Sequence, residues 1–144
     1  MSATAISPDV RRALVAEAAR APTVHNVQPA RWRFGPDGTL TLLRAAGREL
    51  PVADPTGHDL RVSLGAAWEG TSIALSRHGL GLSEPTLTEG AREAGGLVAV
   101  AEGRIVDGTA EDPLAPQVEA RRSFRANGRE MVGIAIFRQS QAND

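Results

Sequence analysis

Ala21-Pro22-Thr23-Val24-His25-Asn26-Val27-Gln28-Pro29-Ala30-Arg31-Trp32-Arg33-Phe34 is the stretch on which the fold turns. It follows an alanine-rich segment of helical spacing and runs into residues that read as a strand. Pro22 and Pro29 each fix their own φ and push the preceding residue toward extended geometry, which makes the connection stiff. Thr23, Asn26 and Gln28 supply hydroxyl and amide groups of both hydrogen-bonding senses without carrying charge. A rigid loop with neutral donors and acceptors suits a planar heterocycle with alternating N–H and C=O groups. The same residues also make a plain helix-to-strand connection that satisfies its own backbone, as Asn and Thr often do.

Upstream, Ser7-Pro8-Asp9 opens a helix with an N-cap and a proline at the first helical position. Val10, Ala13, Leu14, Ala18 and Ala21 recur at helical spacing, and Pro22 ends the helix. Downstream, Arg31–Phe34 and Leu40–Arg44 read as two strands joined by Gly35-Pro36-Asp37-Gly38, a hairpin. Asp54-Pro55-Thr56-Gly57-His58-Asp59 is a turn into a long helix, about Asp59 to His78. Leu60, Leu64, Ala67, Trp68, Thr71, Ala74, Leu75 and His78 form its apolar-rich face. Small residues (Ser63, Gly65, Ala66, Ala67, Gly70, Ala74) suit close approach of another helix or a symmetry mate. Glu84–Thr88 and Leu97–Ala101 read as strands, Gly103–Glu111 as a loop, and Asp112-Pro113 as the start of a short helix. Met131–Phe137 is apolar and strand-like, and Gln139–Asp144 is a polar tail.

Composition narrows the functions. At 144 residues and 42% hydrophobic, the chain suits one modest core, a single domain over 1–138 followed by the tail. No run approaches about 18 apolar residues, so no membrane span is expected. The N-terminus lacks the basic start and apolar centre of a secretion signal, and a cytoplasmic location is expected. The absence of cysteine rules out disulfides and thiolate chemistry. All 16 basic residues are Arg, so lysine Schiff-base chemistry and a lysine phosphate loop are excluded and anions must be held by Arg or backbone amides. A net charge of -1, only 3% aromatics and no Tyr argue against nucleic-acid binding.

His25, His58 and His78 have no metal-ligand spacing, and neither a Gly-x-Ser-x-Gly elbow nor a dinucleotide glycine fingerprint is present. Asp54 and Asp59 near His58 have the chemistry of an acid–base set and read first as a solvated turn. Arg121, Arg122, Ser123 and Arg125 combine guanidinium and hydroxyl donors within five positions, good chemistry for a phosphate monoester and also a common solvated helix end.

Three of these segments, in this order, resemble the nitroreductase-like FMN-binding flavoproteins, with the closer likeness to the tandem-half, Acg-type branch. They are Ala-Pro-Thr-Val-His-Asn-Val-Gln-Pro at 21–29; Ser63-Leu64-Gly65-Ala66-Ala67-Trp68 with the later Gly79-Leu80-Gly81; and Arg121-Arg122-Ser123-x-Arg125. The family's usual run ends in Gln-Pro-Trp, where this chain has Ala30, with Trp32 soon after; Val27 replaces a small polar residue. The resemblance implies an α+β fold, a small sheet packed by helices that include one long central helix in the core of a homodimer. It also implies FMN, lined by Pro22, Thr23 and Val24, hydrogen-bonded near Asn26 and Gln28, and held at its phosphate by Arg121, Arg122, Ser123 and Arg125. The implied activity is hydride transfer from NAD(P)H through the flavin to a nitro-aromatic, quinone-like or other electron-poor acceptor. Arg31 or Arg33 is a candidate for the electron-rich edge of the reduced ring. The likeness covers about residues 8 to 126, and the long segment that follows in full-length relatives has no counterpart here, so the chain looks shortened. A non-catalytic FMN-storing protein, or a remnant without cofactor, is the alternative.

Overall fold

A computed structural model describes residues 6–88, 90, 92–108 and 110–123. Helix α1 (Pro8–Ala18) starts as its sequence dictates: Ser7 Oγ accepts from the Val10 amide at 3.3 Å and Pro8 takes the first helical position. Strands β1 (Ala30–Phe34) and β2 (Thr39–Ala45) form the expected hairpin. The Asp37 carboxylate accepts from the Thr39 hydroxyl at 2.8 Å and from its amide at 3.1 Å. These bonds, the hydroxyl's first, hold the Asp37 carboxyl below its ordinary value.

Helix α2 (His58–Ser76) follows Gly57, whose φ of +67° suits glycine. Its first turn is held by Asp54, a buried carboxylate that accepts from the Leu60 amide at 2.9 Å. Burial alone pushes the Asp54 carboxyl up; the amides of Leu60, Asp59 and His58, with the His58 charge, outweigh it and bring it below the ordinary value. The 54–59 turn is therefore a built helix start rather than a solvated one.

Strands β3 (Leu80–Leu82), β4 (Thr86–Leu87) and β5 (Leu97–Asp107) complete an antiparallel five-stranded sheet. Its order is β1-β2-β5-β3, with β4 also pairing β5. Helix α3 (Gln117–Ala120) is the last element among the described residues. Both long helices pack on one face of the sheet: Ala30, Leu40, Leu42 and Ala101 meet Leu60, Leu64, Ala67 and Trp68 of α2. Ile6, Leu14, Ala74, Leu75 and Leu80 form the adjoining cluster. The mixed helix-and-strand class is as expected. No helix of the described residues is long and apolar enough to cross a membrane.

Several boundaries differ from the sequence expectation. The 103–111 stretch is not all loop, because β5 runs on to Asp107. Gly103 is glycine for packing: a Cβ there would lie 2.8 Å from the Trp68 ring. Gly79 alone makes the expected Gly-Leu-Gly turn, at φ +68°, while Leu80–Leu82 pair with Ile105–Asp107. The 84–88 strand contracts to Thr86–Leu87, and α2 ends at Ser76 rather than His78. The 131–137 strand, the 139–144 tail and Arg125 lie outside the described residues.

The small residues of α2 divide by face. Gly70 meets α1, where a Cβ would stand 3.3 Å from the Ala18 carbonyl, and Ala67 and Ala74 are buried in the two clusters. Gly65 is exposed with open space beside it. Buried hydroxyls on the same helix dock its neighbours. Ser63, Thr71 and Ser76 each donate to a carbonyl one turn back, at 2.8, 2.7 and 2.6 Å. Each also accepts from another element: the Val24 amide at 2.9 Å, the Trp32 indole at 2.8 Å and the Asp112 amide at 2.9 Å.

Candidate functional site

Between Pro22 and Pro29 the chain makes a tight, self-closed loop. The Asn26 amide donates to the Thr23 carbonyl and the Val27 amide to the Val24 carbonyl, both at 3.0 Å. The Gln28 amide donates to Thr23 Oγ1 at 3.2 Å. His25, Asn26 and Gln28 hold φ of +45°, +56° and +47°. Non-glycine residues in this region cost about 1–3 kcal/mol each and concentrate at functional sites. The prolines announce a stiff loop; its left-handed turn has only Asn26, a residue that tolerates such geometry, as a local signal.

This loop closes one end of a cleft of about 610 Å³ that follows β1, an edge strand of the sheet. Thr23, Gln28 and Arg31 line it with Trp32, Arg33 and Val15. Its size falls within the roughly 300–1,000 Å³ of small-molecule sites. Of the sequence candidates, Thr23 and Gln28 face this cleft, while Pro22, Val24 and Asn26 shape the loop behind them. Thr23 accepts from Gln28 through Oγ1, which leaves its O–H to donate, and Gln28 Nε2 donates to Asn26 Oδ1 at 3.3 Å, which leaves Gln28 Oε1 to accept. Ala30, in the place of the family's Trp, is buried and lines the cleft.

Charge separates the two cleft arginines. Arg33 Nη1 sits 2.6 Å from Glu93 Oε2, and that hydrogen bond raises the already high Arg33 pKa. Arg31 donates to the carbonyls of Gln28 at 3.1 Å and Ala30 at 2.7 Å and forms no ion pair among the described residues. Arg31 is thus the guanidinium whose charge remains available to a ligand. The sequence offered no basis for that choice, because Glu93 is remote in the chain.

None of the phosphate candidates among the described residues lines the cleft, and Arg121 is the one tied to its loop. Arg121 Nη2 donates to the Arg20 carbonyl at 2.7 Å, at the entry to the 22–29 loop. Arg121 Nη1 also reaches Ser123 Oγ at 3.4 Å, and Arg122 turns back onto the carbonyls of Glu119 and Arg121. Their bonds to described residues are to backbone carbonyls and a hydroxyl, so the guanidinium charges are uncompensated there. Among the described residues no group of three or more His, Asp or Glu side chains could hold a metal ion. A second groove, about 1040 Å³, lies between the first half of α2 and β4–β5, with Leu60, Leu64, Trp68 and Leu87 among its walls. None of the sequence candidates lines it.

The architecture is that of the nitroreductase fold. A nitroreductase structure from Exiguobacterium sibiricum in complex with FMN aligns with a TM-score of 0.54, at 14% identity, over 90% of this chain and 88% of that one. A Desulfovibrio desulfuricans nitroreductase, also in complex with FMN, gives 0.53 at 14% identity over 84% and 88%. A Bacteroides thetaiotaomicron protein described as an NADH dehydrogenase/NAD(P)H nitroreductase gives 0.53 at 8% identity over 88% and 84%. These three names are provisional assignments, and at such identity the likeness concerns the fold.

Sequence likeness points the same way. Proteins provisionally named NAD(P)H nitroreductase in two strains of Mycobacterium tuberculosis are 38% identical over 68 residues, 47% of this chain and 20% of each relative. The match thus spans about a fifth of those relatives' length. No protein-family model matches the chain. Fold and sequence together make this a nitroreductase-like chain.

Proposed function

We propose that the chain binds FMN in the β1 cleft and serves flavin-dependent oxidoreduction. The observation that carries this reading is the left-handed loop, with neutral donors and acceptors from Thr23 and Gln28 beside the Arg31 guanidinium, which forms no ion pair among the described residues. That donor set fits the ring: the hydroxyl and amide suit its alternating N–H and C=O edge, and Arg31 suits the side that becomes electron-rich on reduction. Pro22, Val24 and Asn26 hold the loop's shape. Arg121, Arg122 and Ser123, with Arg125, would hold the phosphate. When bound, FMN supplies a ring that takes hydride from NAD(P)H and passes electrons to a nitro-aromatic, quinone-like or other electron-poor acceptor.

The working unit in this reading is a cytoplasmic homodimer built on α2. Among the described residues Val62, 58% exposed, and the open side of Gly65 leave that face of the helix uncovered, and Leu87, 82% exposed, lines the neighbouring groove. A two-fold partner would cover this apolar surface.

The visible spectrum of the purified protein, with FMN added where none is retained, tests the proposal. A flavin band that bleaches with NAD(P)H supports the enzyme. A yellow protein inert to NAD(P)H supports FMN storage instead, and a colourless protein that ignores added FMN refutes both.

A further inference from the structure

His25, Asn26 and Gln28 occupy a backbone region that persists only where surrounding contacts over-determine it. Most of the bonds that hold them are local to the loop. One comes from α2: the Val24 amide donates to Ser63 Oγ at 2.9 Å, across 39 positions of sequence. Ser63 is 4% exposed, and its own O–H donates to the Asp59 carbonyl one turn back at 2.8 Å. A hydroxyl meets both demands because it donates once and still accepts. The back-bond to Asp59 fixes the rotamer, which aims a lone pair at Val24. Asp59 in turn lies in the first turn of α2, which Asp54 holds through the Leu60 amide at 2.9 Å. Hydrogen bonds therefore connect the buried Asp54 carboxylate, through the start of α2, to the cleft loop.

Alanine would favour the helix more than serine does, and α2 carries it at positions 66, 67 and 74. Alanine at 63 would leave the Val24 N–H without its partner. We propose that Ser63 is a positioning residue: its hydroxyl clamps the Val24 amide to α2 and so holds residues 24–28 in the shape that presents Thr23 and Gln28 to the cleft. Its consequence for cofactor binding rests on the flavin reading above; the clamp itself does not.

The test compares Ser63→Ala and Ser63→Thr with the parent chain. Amide hydrogen exchange is followed at Asn26 and Val27 without flavin, and FMN affinity is measured by fluorescence titration. Neither amide bonds Ser63 directly, so each reports the loop's shape. In Ser63→Ala, with helical content kept, exchange at both should rise about ten- to a hundredfold, the span set by losing one part-buried hydrogen bond. The FMN dissociation constant should rise about tenfold, the low end of that span. Ser63→Thr, which keeps the hydroxyl, should stay near the parent in both measurements. Unchanged exchange in Ser63→Ala overturns the clamp, and equal loosening in both variants overturns the role of the hydroxyl. Faster exchange with unchanged FMN affinity overturns positioning of the cleft. If the parent itself binds no FMN, the flavin reading fails, and the exchange arm still decides the clamp.

Discussion

Thr71→Val should cut the hydrogen bond that ties the Trp32 indole to α2 while leaving the shape of the core almost intact. Thr71 is buried on α2, and its Oγ1 accepts from the Trp32 indole N–H at 2.8 Å while donating to the Ala67 carbonyl at 2.7 Å. Valine replaces the hydroxyl with a methyl of similar size, and the two residues have similar helix propensity. Loss of the Ala67 contact matters little, because that carbonyl lies inside a continuous helix. The indole loses its partner. A donor stranded in this way costs about 1–3 kcal/mol, and half-burial of Trp32 puts the expected value at the low end, about 1–2 kcal/mol. For a chain of this size that is a fall in Tm of about 3–10 °C. Urea unfolding followed by circular dichroism measures it, and Trp32→Phe with the double variant completes the cycle. The expected coupling between the two positions is about 0.5–1.5 kcal/mol. Additive effects, or a Thr71→Val chain within about 0.3 kcal/mol of the parent, would refute the claim that this bond ties β1 to α2.

Arg121→Ala with Arg122→Ala should weaken FMN far more than riboflavin, which lacks the phosphate, at about 1.5–3 kcal/mol per lost charge-assisted contact; equal weakening in paired titrations would make the cluster a solvated helix end. Asp54 contributes stability above the ordinary carboxylate pKa and loses it as pH falls through its own lowered value. The Tm gap between the parent and Asp54→Asn should therefore be open at neutral pH and close in acid, and a gap constant down to pH about 3 would contradict the lowered carboxyl. Gly65→Leu meets open space within its own chain and should gain about 0.5–1 kcal/mol of helix propensity while disrupting a dimer built on that face. A parent that sediments as a monomer, or a variant dimer of unchanged affinity, would remove α2 as the interface. Ala67→Leu is no substitute for this test, since Ala67 is buried against its own sheet.

What could be read in the sequence is what neighbouring residues decide. Ser7 and Pro8 start α1, and the Gly35–Gly38 turn makes the hairpin, through bonds spanning a few positions. Features set from a distance stayed hidden. Gly103 reads as loop, yet it sits within β5 because the Trp68 ring occupies the space of its missing side chain. Arg31 and Arg33 are equivalent on paper and become different through Glu93, 60 positions beyond Arg33. The prolines make the 22–29 loop stiff but do not set its hand, and the Val24 bond to Ser63 anchors it to α2.

The hydroxyls of α2 show why composition misled at this point. Ser63 and Thr71 read as small or apolar-face residues of a helix made for close contact, and small side chains do bring Gly70 against Ala18. Yet Ser63, Thr71 and Ser76 share a second property, a lone pair left over once the hydroxyl has bonded its own helix. Each lone pair meets an N–H from a different part of the chain: the cleft loop, the edge strand and the segment before α3. Amphipathic patterning registers burial alone, so a buried serine and a buried alanine look the same to it. The difference is whether the neighbouring backbone has an N–H to place, and only the tertiary arrangement settles that. Helix α2 therefore fixes both the loop and the strand that wall the cleft, and substitutions on its buried side should reach the cleft through these bonds without touching a ligand.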